Sequence, residues 1–197
     1  MNAPVSIRCH CGEFEAELAP TAFTRHNHIA CYCRDCQAFT HALGHAERIL
    51  DDHGGSEIVQ VAAGDVSITK GANYLACLRL TEGGLHRFYA RCCNTPLGNS
   101  LGVRFPFIGL LGACLTPTEA IPPAFGPIDV VVFTNSATGD DKPAPRRLIA
   151  GILGFLWLGL GARLRGDGKR HPFFDGETGL PVVTPVVGAE AVTAAPA

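Results

Sequence analysis

Seven cysteines gathered into three short clusters constrain this chain more than any other feature of its sequence. The clusters are Cys9-His10-Cys11-Gly12, Cys31-Tyr32-Cys33-Arg34-Asp35-Cys36 and Cys92-Cys93-Asn94-Thr95-Pro96. The opening Met1-Asn2-Ala3-Pro4-Val5-Ser6 has no basic n-region leading into an apolar h-region, which reads as a cytoplasmic chain. In that reducing compartment clustered thiols are metal ligands before they are disulfides, and an odd total of nine cysteines fits poorly with complete pairing. A Cys-x-Cys pair on extended backbone puts both sulfurs on one side, and two intervening residues, as from Cys33 to Cys36, let a turn bring sulfurs together. Cys31, Cys33 and Cys36 can therefore share one Zn2+ and leave its fourth position open, the arrangement of a catalytic zinc. Cys9, Cys11, Cys92 and Cys93 can make a closed four-thiolate site that pins an N-terminal hairpin to a segment about eighty residues away. Adjacent strand residues face opposite sides, so Cys92 and Cys93 share a metal only across a bend or bulge. A redox dithiol at Cys33/Cys36 is the competing reading of the second cluster. Cys77 and Cys114, in apolar surroundings, read as core residues, and His10, His26, His28, His41 and His45 as hydrogen-bonding or surface residues rather than ligands.

The rest of the chain reads as mainly β. It has 197 residues, enough hydrophobic material (47%) for a core, and 23 glycines with 14 prolines, which favours short strands between turns. A formal charge of −2 argues against a nucleic-acid partner. Alternation predicts a strand, a turn at Gly12 and a second strand over Ile7 to Leu18. The cluster between Arg25 and Thr40 reads as loop, with a short helix after Cys36. Glu57 to Val61, Val66 to Lys70, and a hairpin of Asn73 to Leu80 with Leu85 to Arg91 are further strands. Asp129 to Phe133 reads as a buried strand.

Composition changes after about Ala137. A linker-like Asp140 to Pro145 precedes fifteen uncharged, mostly apolar residues, Leu148 to Ala162, bracketed by Arg146-Arg147 and Arg163-Leu164-Arg165. That run is shorter than a spanning helix requires, so it reads as a helix of about 147–164 packed on its own domain or on a second copy of the chain. Contact with a membrane surface, helped by the basic flanks, is the alternative, although the segment lacks the polar face of such helices. The last dozen residues read as disordered.

The ordered combination of cysteine motifs resembles the glutathione-dependent formaldehyde-activating enzyme family, which includes the centromere protein V-like proteins. That family shows Cys-x-Cys-Gly, then Cys-x-Cys-x-x-Cys, then Cys-x-x-Cys-Gly-Ser/Thr. Here Cys9 to Gly12 match the first element, Cys31 to Cys36 the second, and Arg87 to Leu97 the third, a similarity covering roughly residues 5 to 135. Ala90 stands where the first cysteine of the third motif belongs, with Cys92 as its substitute, and Asn94 replaces the glycine. The resemblance implies a β-tent of several small coiled antiparallel sheets in a zinc domain of residues 1–138, followed by a linker, helix and tail in 139–197. It implies a structural zinc at the first and third clusters and a catalytic zinc at Cys31, Cys33 and Cys36. The implied activity is that of a carbon–sulfur lyase, joining glutathione or another small thiol to formaldehyde. Three thiolates on one zinc carry a formal charge of −1, and a thiolate substrate makes it −2, so a cation is needed nearby. Arg25, Arg34, Arg87 and Arg91 are candidates, and Arg34 is the first choice because it lies inside the ligand loop.

Overall fold

The computed structural model describes residues 5–188 and is mainly β with one long helix. In chain order the strands are β1 (Ser6–Arg8), β2 (Glu15–Leu18), β3 (His26–Cys31), β4 (Ser56–Ala62), β5 (Val66–Lys70), β6 (Leu75–Arg79), β7 (His86–Ala90), β8 (Thr95–Ser100), β9 (Phe107–Leu111), β10 (Leu115–Thr116), β11 (Val130–Val132) and β12 (Val186–Val187). The helices are α1 (Arg34–Ala42), α2 (Ala46–Ile49), α3 (Ile121–Phe125) and α4 (Leu148–Leu164).

The strands form a four-stranded sheet ordered β10-β1-β2-β5 and an eight-stranded sheet ordered β11-β3-β4-β9-β8-β7-β6-β12. Neighbours pair antiparallel except at the two edges of the larger sheet, where β11 lies parallel to β3 and β12 parallel to β6. Side chains of both sheets fill one core, with Val5, Ile7 and Phe14 meeting Val59, Val61, Phe88, Leu97, Ile108 and Leu110. Burial of this apolar area is the main favourable term, at about 25 cal/mol per Å².

The expected hairpins are present. Gly12 turns the first at φ 77°, in the left-handed region that suits glycine. Three expectations change. The second cluster is the end of β3 followed directly by α1, so Cys36 lies inside a helix that starts at Arg34 rather than in a loop ahead of one. The predicted buried strand at Asp129 to Phe133 is an edge strand, with Val130 buried and Val131 and Val132 half-buried. Of the last dozen residues, Val186 and Val187 are ordered as β12 against Leu78 and Arg79, because that sheet edge offers free backbone groups. The remainder of that dozen, from residue 189, lies outside the described residues.

The central strands β8 and β9 escape a pattern-based reading. Thr95–Ser100 is rich in turn-forming residues yet is wholly buried. Gly98 and Gly109 are what this pairing needs, since a Cβ at Gly98 would sit 2.8 Å from the Gly109 carbonyl oxygen. Ser100 is satisfied in the interior: its hydroxyl donates to the Phe107 carbonyl at 2.7 Å and accepts from His171 Nε2–H at 2.9 Å. Nδ1 of His171 in turn accepts the Phe173 N–H at 3.2 Å, which fixes the tautomer.

Helix α4 packs through small residues. Gly151 faces Val130, and a Cβ at Gly159 would fall 2.0 Å from the Phe105 ring. Beyond α4, Phe173 and Phe174 return into the core, their rings 4.4 and 5.6 Å from that of Phe88. The segment after residue 138 is thus packed on the strands that carry the cysteines.

Candidate metal centres

Two groups of sulfurs converge, each with its Sγ atoms within 4.8 Å of one another. In the first, Cys9 follows β1, Cys11 lies in the turn after it, and Cys92 and Cys93 occupy the turn between β7 and β8. Sγ separations are 3.5 Å for Cys9–Cys11, 3.7 Å for Cys9–Cys92, 3.4 Å for Cys11–Cys92 and 4.0 Å for Cys92–Cys93. A tetrahedron with metal–sulfur bonds of about 2.3 Å has edges of about 3.8 Å, so these four donors fit one tetrahedral ion. The bend required of Cys92-Cys93 is supplied by Asn94, at φ 55°, a conformation Asn tolerates better than most side chains. The turn thus brings in Cys92 although Ala90, on β7, is buried in the core.

Hydrogen bonds around this group favour a thiolate at Cys93, whereas burial and the neighbouring thiols push Cys92 up. Cys9 Sγ accepts the Phe14 N–H at 3.2 Å. Thr95 Oγ1 accepts the His10 N–H at 3.0 Å and lies 3.0 Å from Cys93 Sγ. Burial works against ionisation of Cys93, but bonds from the Thr95 hydroxyl and the backbone N–H groups of Cys11 and Thr95 outweigh it and hold the thiol at about 6. His45 Nε2 bonds the Cys93 carbonyl at 2.9 Å, and Lys70 Nζ donates to the Gly12 carbonyl at 2.7 Å, fastening both turns.

The second group is Cys31, Cys33 and Cys36. Cys33 caps α1, its sulfur accepting the Cys36 N–H at 3.3 Å, and Cys36 Sγ is 3.8 Å from Cys31 Sγ. Sulfurs at a helix N-terminus meet free N–H groups and the positive end of the dipole. Hydrogen bonds from Cys31 and Cys33, then the Arg87 charge, hold the Cys36 thiol well below its ordinary value. Bonding to Cys33 and Cys36, with burial added, pushes Cys31 up. One member of the group is thus poised to be the first thiolate.

Arg87, on β7, provides the charge. It is 2% exposed, with Nη1 3.9 Å from Cys36 Sγ, Nη2 donating to Asp35 at 3.3 Å, and its guanidinium 5.6 Å above the Phe39 ring. Arg34, the first choice from sequence, is exposed on α1, as are Arg25 and Arg91 on their own segments. A helix start turns residue 34 outward while strand pairing of β7 with β8 carries Arg87 inward, a placement that ligand-loop proximity does not reveal.

The remaining predicted residues fall as follows. Cys77 and Cys114 are buried, each thiol pushed up to about 12 by burial, and neither joins a group. His26 bonds the Ala22 and Phe125 carbonyls, and buried His28 bonds the Gly126 carbonyl and the Glu57 carboxylate at 2.7 Å.

The three-sulfur group opens on a cavity of about 480 Å³, whose wall includes Cys31, Cys33, Cys36, Asp35 and Arg87. Beside the four-sulfur group, a smaller cavity of about 250 Å³ is lined by His10, Arg48 and Glu57 and by no cysteine.

A family model described as "Family of unknown function (DUF6151)" matches residues 1–184. The chain belongs to the DUF6151 family. No curated protein matches it. Among solved structures, a Rhodobacter sphaeroides structural-genomics protein is similar to this DUF6151 chain with a TM-score of 0.43 and 17% identity, over 62% of this chain and 96% of that one. No helix among the described residues is long and apolar enough to cross a membrane.

Proposed function

We propose that the chain is a two-zinc protein of the formaldehyde-activating type. On this reading Cys9, Cys11, Cys92 and Cys93 hold a structural ion, and Cys31, Cys33 and Cys36 hold a catalytic one that promotes reversible addition of a small thiol to an aldehyde. The two sheets are then a form of the β-tent. The observation that carries the reading is Arg87: a guanidinium 2% exposed beside three thiols is tolerable only next to compensating negative charge. Asp35, 63% exposed, supplies part of that charge from the solvent side, and an anionic sulfur cluster supplies the rest.

Zinc there would supply a Lewis acid with an open position that favours the thiolate form of a substrate thiol. The protein's own residues do the remainder. Arg87 offsets the accumulated negative charge, Asp35 holds the Arg87 fork, and the apolar cavity wall excludes water that would compete for the aldehyde. In the addition the substrate sulfur forms a bond to the carbonyl carbon, the carbonyl π bond opens, and the thiol proton ends on the oxygen. No electron leaves or enters. Elemental analysis of protein purified under reducing conditions tests the ligation. About two zinc ions per chain is the expected result, and none would end this reading. Glutathione, the thiol of the resembling family, and formaldehyde are the first substrate pair to assay, by NMR detection of the hemithioacetal carbon forming faster than in the uncatalysed mixture.

A second reading is favoured by α4. Its outer face leaves Ile149 77% and Trp157 78% exposed, between Arg146-Arg147 and Arg163. A zinc-stabilised module that binds a partner or lipid surface through this face, without turnover, would show vesicle or partner binding lost in Trp157→Ser and no thiol–aldehyde activity.

A further inference from the structure

We propose that the ligand of the three-sulfur site is a thiol or aldehyde bearing an extended apolar group, seated in the cavity between β3, β4, β11 and α4. The inference rests on the thiol–aldehyde reading above and narrows its substrate class. At about 480 Å³ the cavity lies within the range of small-molecule sites, roughly 300–1,000 Å³. Beyond the sulfurs its wall is mostly hydrocarbon, with Ile29, Ile58, Phe107, Val130 and Phe155 among its members. Among the described residues its only charged side chains, Arg87 and Asp35, are paired with each other at 3.3 Å. A peptide thiol with two free carboxylates finds no unpaired cation in this lining. An alkyl or aryl chain finds a matching surface.

The mouth makes the same case. Leu101, Phe133 and Ile152 line the cavity and are also 52%, 64% and 59% exposed. Phe133 is held at φ 58°, where a bulky side chain is strained, so the fold stations an aromatic ring at the entrance at a local cost. Gly151 in the cavity wall lets α4 close against Val130, and Ile152 and Phe155 on the same helix complete the lining. The segment beyond the resembling core thus builds one wall of the site.

The test is calorimetric binding of two homologous series, linear thiols and linear alcohols of two to eight carbons, to the zinc-loaded full chain. The thiols should tighten about fourfold per added methylene, the equivalent of about 0.8 kcal/mol, and bind more tightly than glutathione. The alcohols should show the same slope with weaker binding. Phe133→Asn, which relieves the left-handed strain and so leaves the fold intact, should weaken the longer members about fivefold, the equivalent of about 1 kcal/mol. A chain-length slope with no preference for thiol over alcohol supports the cavity and overturns the thiol chemistry beneath it. Glutathione binding tightly, with no slope in either series, overturns the apolar-ligand proposal and leaves that chemistry standing.

Discussion

The two sulfur groups are built from the same residue type and differ in everything around it. The four-sulfur group joins two turns that are distant in sequence and supplies four donors spaced for a tetrahedron. The three-sulfur group comes from a single strand-to-helix junction, stops one donor short, and faces a cavity with a buried cation in its wall. A closed set can only hold the fold together, whereas an open set beside a cavity can act on something. The comparison teaches that ligand count and surroundings, rather than cysteine content, separate a staple from a reactive centre.

The largest effect expected from that contrast is on stability. Cys9→Ser should lower the melting temperature by about 10 °C or more, equivalent to a few kcal/mol, because it opens the link between the first hairpin and the β7–β8 turn. Calorimetry and zinc content read it together, and a variant as stable as the parent would remove the staple role. Cys33→Ser should reverse the pattern. Thiol–aldehyde turnover should fall at least about 100-fold, zinc should drop by one ion per chain, and the melting temperature should move by only about 2 °C. Equal destabilisation by both variants would erase the distinction.

Arg87→Met probes the open group through its charge. Zinc affinity there should fall about 10- to 100-fold in competition with a chelator, while the closed group keeps its ion. The effect that is smallest at neutral pH, and grows on acidification, lies away from both groups. Burial first, then the nearby His86, lowers His171 to about 3 from an ordinary 6.5. The unfolded chain therefore takes up a proton below pH 6.5 that the native state refuses until about pH 3. Stability is lost as pH falls through that window and is unaffected above it, with a slope approaching about 1.4 kcal/mol per pH unit. Denaturant titrations of the parent and His171→Asn between pH 7 and 4 should diverge by that slope, separating this acid sensitivity from release of metal by protonated thiolates.

Much of the site was legible before the fold. Motif spacing alone assembled Cys31, Cys33 and Cys36, and placed Cys9 and Cys11 together, because those donors are local. The hairpins at Gly12 and at Glu82 to Gly84 followed from alternation and turn residues. Two placements were not readable. The role of Arg87 arises because β7 pairs with β8 and directs that residue beneath α1, a relation between segments about fifty residues apart. Strands β8 and β9 are buried among other strands, so they lack the alternation that marks a half-exposed strand.

What the sequence by itself determined was the local chemistry: a triplet of thiols, two separate pairs, a mainly β chain, and an apolar run too short to span a bilayer. These follow from composition and near-neighbour spacing, which act over a few residues. What only the tertiary structure decided was the environment of that chemistry. It turned Cys92 and Cys93 toward one centre, buried Arg87 beside the other, and laid α4 across the cavity wall. Each of those depends on long-range pairing and close packing, where a glycine at 98, 109, 151 or 159 matters for what it allows to approach, and no local pattern records that.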